Sequence, residues 1–168
     1  MKAKLIRYFF LGFVITAISA CSATGPVFSE APGPKQIDAL VYIYRPDSMY
    51  YSGIQSHFYL NDVKVASLNK NGYTWFYAPK GEYALKQHWT GMDSDNQIIT
   101  RNIKLPPQGK VFYRLTIGLE DFRAQYPGFK ATHGWVLSEV TESQALIEMR
   151  DTRFQPPFDL DKVIAQKR

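Results

Sequence analysis

The stretch Glu82-Tyr83-Ala84-Leu85-Lys86-Gln87-His88-Trp89-Thr90 alternates its side-chain types at every second position. Because successive side chains of a β-strand point to opposite faces, this alternation predicts a strand with one buried face. One face would carry Tyr83, Leu85, Gln87 and Trp89, and the other Glu82, Ala84, Lys86 and His88. We expect the face that ends in Trp89 to lie in a hydrophobic core.

Similar short segments, rich in β-branched and aromatic residues, occur on both sides of this stretch. They are Ala39–Arg45, Gln55–Leu60, Lys64–Leu68, Tyr73–Tyr77, Gln97–Leu105, Lys110–Leu119 and Thr132–Val140. Turn formers separate them, as in Asn61-Asp62-Val63 and Ala78-Pro79-Lys80-Gly81. The pattern predicts an all-β fold, a small antiparallel β-sandwich or open barrel of about seven to eight strands. A short C-terminal helix is expected at Glu142–Arg150, with Thr141 as its N-cap.

The first 21 residues have the organisation of a secretory signal peptide. Three basic residues precede the apolar run Tyr8–Ile18, which at 11 residues is too short for a transmembrane helix of about 20. A buried core helix would leave the basic residues without a role. The run Ile18-Ser19-Ala20-Cys21 resembles the lipobox of bacterial lipoproteins. That resemblance implies cleavage before Cys21 and a lipid on its sulfur.

Four segments follow from these patterns. Residues 1–20 are predicted to be the lipoprotein signal peptide, and residues 21–36 a lipidated N-terminus and flexible tether, because Gly and Pro are frequent there and no hydrophobic period is present. Residues 37–151 would form the β-sandwich domain and residues 152–168 a C-terminal tail. Ser22 after the cysteine, where some inner-membrane lipoproteins have aspartate, points to the periplasmic face of the outer membrane, or to the outer surface of a cell with one membrane.

The charge and cysteine content of the chain argue against a nucleic-acid partner and against a disulfide. The formal net charge of +5 includes Lys2, Lys4 and Arg7, so the chain after cleavage carries about +2. No basic cluster with interleaved aromatic residues is present, and we expect no nucleic-acid partner. Cys21 is the only cysteine, so the domain has no disulfide and depends on its apolar core.

Three motifs resemble those of small bacterial lipoproteins that carry a domain of unknown function. They are Tyr42-Ile43-Tyr44-Arg45-Pro46, Phe58-Tyr59-Leu60-Asn61-Asp62 and Pro79-Lys80-Gly81-Glu82-Tyr83, the last with PEGA-like features. The resemblance implies a β-sandwich on a lipid anchor and brings no known activity, cofactor or catalytic residue. The same residues also have a structural explanation, in which Tyr42, Tyr44 and Tyr59 stack across strands and Arg45 forms an ion pair at a strand end.

No catalytic or metal-binding motif is present in the sequence. The histidines His57, His88 and His133 lack the close spacing of metal ligands, and we expect the first two to be exposed strand residues. The turn Asp93–Asn96 lacks the glycine and the final acid of a calcium loop. There is no G-x-S-x-G motif. We therefore predict no enzyme activity, no metal and no cofactor.

Two connections are candidates for binding a partner. Asp47–Gly53 carries Met49, Tyr50 and Tyr51, and Glu120–Ala131 carries Phe122, Arg123, Tyr126 and Phe129. Exposed aromatic residues and arginine are frequent at interface centres. Alternatively, these aromatic side chains cover the open ends of the core.

The expected function is non-catalytic. A lipid-anchored envelope protein would present its β-sandwich to bind or support another envelope component, either a protein or the cell wall. Two alternatives stay open: a subunit of a larger secretion or surface machine, and a hydrolase or carbohydrate-active enzyme with an unrecognised site. A deep pocket with convergent polar groups would favour the enzyme.

Overall fold

The alternating and apolar segments form the strands of two stacked sheets. The computed structural model describes residues 22–33, 38–91, 98–124, 129–158 and 160, and the side chains of residues 119–133 lie outside this description. The elements are β1 Asp38–Arg45, β2 Ser56–Leu60, β3 Val63–Leu68, β4 Gly72–Pro79, β5 Gly81–Trp89, β6 Ile99–Leu105, β7 Gly109–Ala124, β8 Phe129–Val140, α1 Glu142–Glu148 and β9 Arg153–Phe154. Residues 1–20, predicted to be a signal peptide, lie outside the described residues, as do Cys21 and Asp93–Asn96.

The predicted all-β fold is confirmed. A five-stranded sheet in the order β8-β7-β1-β4-β9 faces a four-stranded sheet in the order β3-β2-β5-β6. The core between them is formed by side chains such as Ile43, Phe58, Leu85 and Leu115. The predicted alternation of β5 is also confirmed, since Trp89 is 3% exposed and shares the inward face with the buried Gln87. The other face of β5 lies on the outside of the four-stranded sheet.

At its central strand β1, the five-stranded sheet is buried on both faces. A second cluster on its outer face packs Leu40, Tyr42 and Tyr44 of β1 against Ala145 and Met149 of the helix region. Strand β1 is therefore buried at every position after Asp38, which explains its nearly continuous apolar sequence. The helix begins at the predicted N-cap, because the Thr141 side chain accepts a hydrogen bond from the Gln144 amide.

Two strand pairs are parallel, which differs from the purely antiparallel arrangement expected. Strand β1 pairs in parallel with β7, and β4 pairs in parallel with β9. A parallel pair needs a long crossover, and here the whole four-stranded sheet lies in the chain between β1 and β7. The turns, which are local signals, indicate only the hairpins.

The predicted flexible tether is wrong for its described part, residues 22–33. Ser22 forms a bridge with Lys70, and Ala23 is buried. The Phe28 amide donates to the Thr152 carbonyl at 2.8 Å. The segment covers the aromatic outer face of β1 and β4, and this covering replaces the solvent exposure that its Gly and Pro content predicted.

Part of the predicted C-terminal tail belongs to the domain. Arg153 and Phe154 form β9 at the edge of the five-stranded sheet. Farther along, the Phe158 amide donates to the Val65 carbonyl of β3 at 2.9 Å, and Leu160 packs against the core between the sheets. The tail therefore links the two sheets at their edge. The sequence did not indicate this link, because β9 has only two residues and lies between polar residues and prolines.

The sandwich has two ends that differ in composition. At one end, which we call the Arg45 end, β1 finishes at Arg45 beside Gly72, and Ser56 of β2 lies beside Trp89. At the other, the Gly81 end, Pro79 pairs with Asp38, and the two-residue turn at Asn61-Asp62 has positive φ angles of 48° and 69°, as a type I′ hairpin requires. Within the described residues, no helix is long and apolar enough to cross a membrane.

Candidate functional site

Arg45 is the least expected side chain of the core. It ends β1 and is 0% exposed. Its guanidinium donates to the Ile54 carbonyl and to the Tyr51 carbonyl, each at 2.7 Å. The predicted ion pair is wrong, since among the described residues the guanidinium binds carbonyl oxygens and no carboxylate. Arg45 therefore holds the β1–β2 loop closed from inside.

Two tryptophan rings complete the surroundings of this charge. The guanidinium carbon lies 4.8 Å from the ring centroid of Trp89 and 5.4 Å from that of Trp135. Such cation–π contacts stabilise a desolvated cation by roughly 2 kcal/mol. Burial lowers the pKa of Arg45 to about 10, so the side chain stays charged at neutral pH.

The first candidate binding loop divides into an inward and an outward part. Tyr51 stacks on Trp89 with centroids 5.1 Å apart, so this ring covers the end of the core. Met49 and Tyr50 point outward and are 92% and 69% exposed. Only these two of the three predicted residues are available to a partner. The division comes from the positive φ of 54° at Tyr51, which turns the chain at this point.

The second candidate loop is largely two strands. We expected a long connection at Glu120–Ala131, but β7 continues to Ala124 and β8 begins at Phe129. Phe122 pairs with Ala131 across this hairpin, with a register shift between Leu119 and Asp121. The extra residue at that shift interrupts the period of two, and this interruption hides the strands in the sequence.

The individual side chains of this hairpin stay untested. Tyr126 lies outside the described residues, and the side chains of Phe122, Arg123 and Phe129 are likewise not described. Their role in binding stays a prediction.

Two open depressions lie at the Gly81 end. One, of about 550 Å³, includes Asn61, Ala84 and Asn102 in its lining. Here Ala84 pairs with Asn102, and Glu82 pairs with Lys104. The Asn61 side-chain oxygen accepts a hydrogen bond from the Ala84 amide at 2.9 Å. The floor is low because Ala84 has only a methyl group between longer polar neighbours.

The second depression adjoins the first. It has a volume of about 530 Å³, and Lys104 lines both. Its other walls include Gly81, Leu105, Pro106 and Pro107, so it is more apolar. Together the two depressions form a shallow, polar-to-apolar surface. The sequence alone does not reveal this surface, because Ala84 and Asn102 become neighbours only through strand pairing.

His57 and His88 are the histidines whose side chains the structure describes, and both contact neighbouring side chains of the four-stranded sheet. His57 lies between Ser67 Oγ at 2.8 Å and Thr90 Oγ1 at 2.9 Å. Burial and the nearby Lys64 and His88 lower the pKa of His57. Among the described residues, no group of three or more His, Cys, Asp or Glu side chains is placed to hold a metal ion.

Tyrosines of the quoted motifs also act in packing. Tyr42 stacks on Phe112 with centroids 4.8 Å apart. The Tyr44 hydroxyl donates to Glu148 at 2.6 Å. Tyr59 lies in the other sheet, where its ring centroid is 4.8 Å from that of His88. The expected stacked cross-strand pair is therefore present at Tyr42, which lies opposite Phe112, while the Tyr44 hydroxyl is held by a hydrogen bond. The motif residues support the fold at separate places.

The chain was compared with protein families, curated proteins and solved structures. No family model, no curated protein and no solved structure matches the chain. The lipoprotein family suggested by the motifs stays a prediction.

Proposed function

We propose that this chain is a non-catalytic envelope protein. A lipid on Cys21 holds it at the periplasmic face of the outer membrane, or at the outer surface of a cell with a single membrane. Its sandwich binds or supports another envelope component, a protein or the cell wall. The proposal includes no cofactor, no metal and no nucleic-acid partner.

One observation carries this proposal. The described chain begins at the Arg45 end, where Ser22 forms a bridge with Lys70, while the two open depressions lie at the Gly81 end. A membrane anchor attached before Ser22 therefore leaves the depressions at the end of the sandwich that is farther from the bilayer. An open, shallow surface of mixed polarity suits a protein or polymer partner better than the enclosed site that small-molecule chemistry uses.

The anchor is tested by replacing its predicted attachment point. We expect Cys21→Ala to keep the fold and lose stable membrane attachment, because two or more acyl chains are what hold a lipoprotein in its bilayer. Cell fractionation with immunodetection measures this. Recovery of the variant in the membrane pellet after a salt wash would show that a protein partner, not lipid, holds the chain.

The binding surface is tested by photo-crosslinking in cells. A photoreactive amino acid at Asn102, inside the first depression, should give a discrete adduct, and the same amino acid at Ile147, exposed on the helix, should not. Ala84→Trp fills the depression and should abolish the adduct. Thr100→Trp, on the exposed face of the neighbouring strand, is the matched control and should leave it intact. An adduct that persists in Ala84→Trp would place the partner elsewhere.

A further inference from the structure

Ser22, the first described residue, already pairs with the sandwich at the Arg45 end. The Ala23 amide donates to the Lys70 carbonyl at 3.1 Å, and Ser22 pairs with Lys70 as well. Cys21 directly precedes Ser22, and consecutive Cα atoms are about 3.8 Å apart. A bilayer that holds Cys21 therefore lies against the Arg45 end, instead of tens of ångströms away on an extended tether.

The most exposed apolar side chains of the described residues lie at the same end. Lys70 forms an ion pair with Asp47 at 3.0 Å, which places the β1–β2 loop beside the point where the N-terminal segment enters. Two residues after Asp47 come Met49 and Tyr50, at 92% and 69% exposure. We call these two residues the Met49–Tyr50 tip.

The loop holds this tip outward. The backbone after the tip is fixed by the Arg45 hydrogen bond to the Tyr51 carbonyl and by the stacking of Tyr51 on Trp89. The Ile54 amide also donates back to the Tyr51 carbonyl at 3.0 Å. Since the inward space is already filled by Tyr51, the tip has no place on the core.

The size and chemistry of the tip favour a lipid surface as its binding partner. A stable protein interface buries about 800 Å² on each partner, which two side chains do not supply. A bilayer interface needs no matching shape, and tyrosine is enriched there because its ring is apolar and its hydroxyl is hydrated. Methionine next to it adds flexible apolar surface.

We propose that the Met49–Tyr50 tip enters the interfacial layer of the membrane that holds Cys21. This inference rests on the proposed lipid anchor. The Arg45 end then lies on the bilayer, and the orientation of the domain is fixed by two points, the lipid and the tip. The depressions at the Gly81 end then lie at the opposite end of the domain from the bilayer.

The test uses a fluorescent reporter on the lipidated full chain. Cys21 is the only cysteine, and its acylated sulfur is blocked, so Met49→Cys introduces a single reactive thiol for the environment-sensitive dye NBD. The protein is reconstituted in vesicles of phosphatidylethanolamine and phosphatidylglycerol. We expect blue-shifted emission and strong quenching by lipids that carry a nitroxide on the acyl chain. Tyr50→Cys serves as a second probe and should behave alike.

Two controls carry the same dye at other exposed positions. Ile147→Cys replaces an exposed apolar residue on the helix, and Gln108→Cys lies in the turn before β7 at the Gly81 end. Neither should be quenched by the nitroxide lipids. Because the dye itself is apolar, a signal at position 49 that Ile147→Cys matches would overturn the proposal.

The outcomes separate this inference from the proposed anchor. If wild-type Cys21 reacts with the dye and the protein does not float with vesicles, the anchor is refuted and the inference with it. If Cys21 is blocked and the protein floats, yet the dye at position 49 reports water, the anchor stands and the inference is wrong. Melting curves of the labelled variants confirm that each is folded.

Discussion

At Arg45 a full positive charge is enclosed by two indole rings and two backbone carbonyl groups. Desolvation of a cation is costly, and the guanidinium tolerates it because the charge is delocalised and its planar donors match two acceptors. The burial of this charge has a structural effect, since its hydrogen bonds close the loop from Asp47 to Gly53. One residue thus connects the end of β1, the core and the exposed tip.

Removing this charge should open the loop. We expect Arg45→Met to lower the free energy of unfolding by about 2–4 kcal/mol, because the Ile54 carbonyl loses its donor and the Tyr51 carbonyl keeps only the Ile54 amide. Arg45→Lys keeps the charge but lacks the fork, and its loss should be intermediate. Urea denaturation measures both. A loss below about 0.5 kcal/mol for Arg45→Met would mean that water replaces the guanidinium freely.

Trp89 and Met49 provide a contrast between buried and exposed residues near the same loop. Trp89→Ala should cost about 3–5 kcal/mol, since it removes a buried ring that contacts Tyr51 and Arg45. Met49→Ala should leave the unfolding free energy unchanged, because the side chain is 92% exposed. Denaturation curves compare the two variants, and equal losses would contradict the assigned faces of the loop.

Glu148 should make stability depend on pH. Burial acts to raise its pKa, but hydrogen bonds from Tyr44 and Gln144 and the charge of Arg114 outweigh burial and lower it. A carboxyl group with a lowered folded-state pKa contributes stability above its unfolded pKa, and this contribution is lost as pH falls through the folded value. Glu148→Gln should therefore be less stable than wild type at pH 7.

The difference in unfolding free energy between Glu148→Gln and wild type should shrink below about pH 4, where the glutamate of the unfolded chain becomes protonated. Denaturant titration at several pH values measures it. Tyr44→Phe removes the hydroxyl donor and should reduce the wild-type pH dependence. A Glu148→Gln difference that stays constant from neutral to acid pH would mean that the carboxylate charge is not stabilised.

Among the elements, the N-terminal segment 22–33 differs most from its prediction as a flexible tether. It covers a sheet face that would otherwise expose tyrosines, and the Tyr42 hydroxyl accepts a hydrogen bond from the Ala31 amide at 2.9 Å. Farther along, the Tyr77 hydroxyl donates to the Pro32 carbonyl at 2.9 Å. The segment therefore acts as an additional layer of the domain, and its position sets where a lipid anchor would lie.

A substitution in this segment should show its contribution. Phe28 packs edge-on against Tyr73 with centroids 5.1 Å apart. Phe28→Ala should lower the unfolding free energy by about 1–3 kcal/mol, from lost apolar burial and the aromatic contact. Thr24→Ala, at an exposed position of the same segment, is the control and should have no effect. If both variants are equally stable, the prediction that this segment is a flexible tether would be supported.

For the whole molecule, the edge between the two sheets is closed by the C-terminal residues. β9 adds to β4, the Phe158 amide binds β3, and Leu160 reaches the core. Truncation after Asp151 should lower the melting temperature strongly, because these contacts and the cover over the β4 edge are lost together. Truncation after Leu160 keeps them and should melt close to wild type. Similar melting of the two truncated chains would contradict the linking role of residues 152–160.

The features of this protein that depend on neighbouring residues could be predicted from the sequence. The alternation at β5 predicted its buried face, the Asn61-Asp62 turn predicted a hairpin, and Thr141 predicted the start of the helix. Each is local, since a strand alternates at every second residue and a turn or cap is specified within a few positions. The predicted signal peptide and lipidation at Cys21 rest on a local pattern as well and stay predictions.

The other features could not be predicted, because they join residues that are far apart in the chain. The β1–β7 pair joins residues about seventy positions apart. The 22–33 segment is held by hydrogen bonds to Tyr73 of β4 and to Thr152. An arginine at the end of β1 gives no sign of its two tryptophans, since Trp89 and Trp135 meet only when the sheets stack. Local sequence therefore specified the strands, and long-range packing specified which surfaces remained for function.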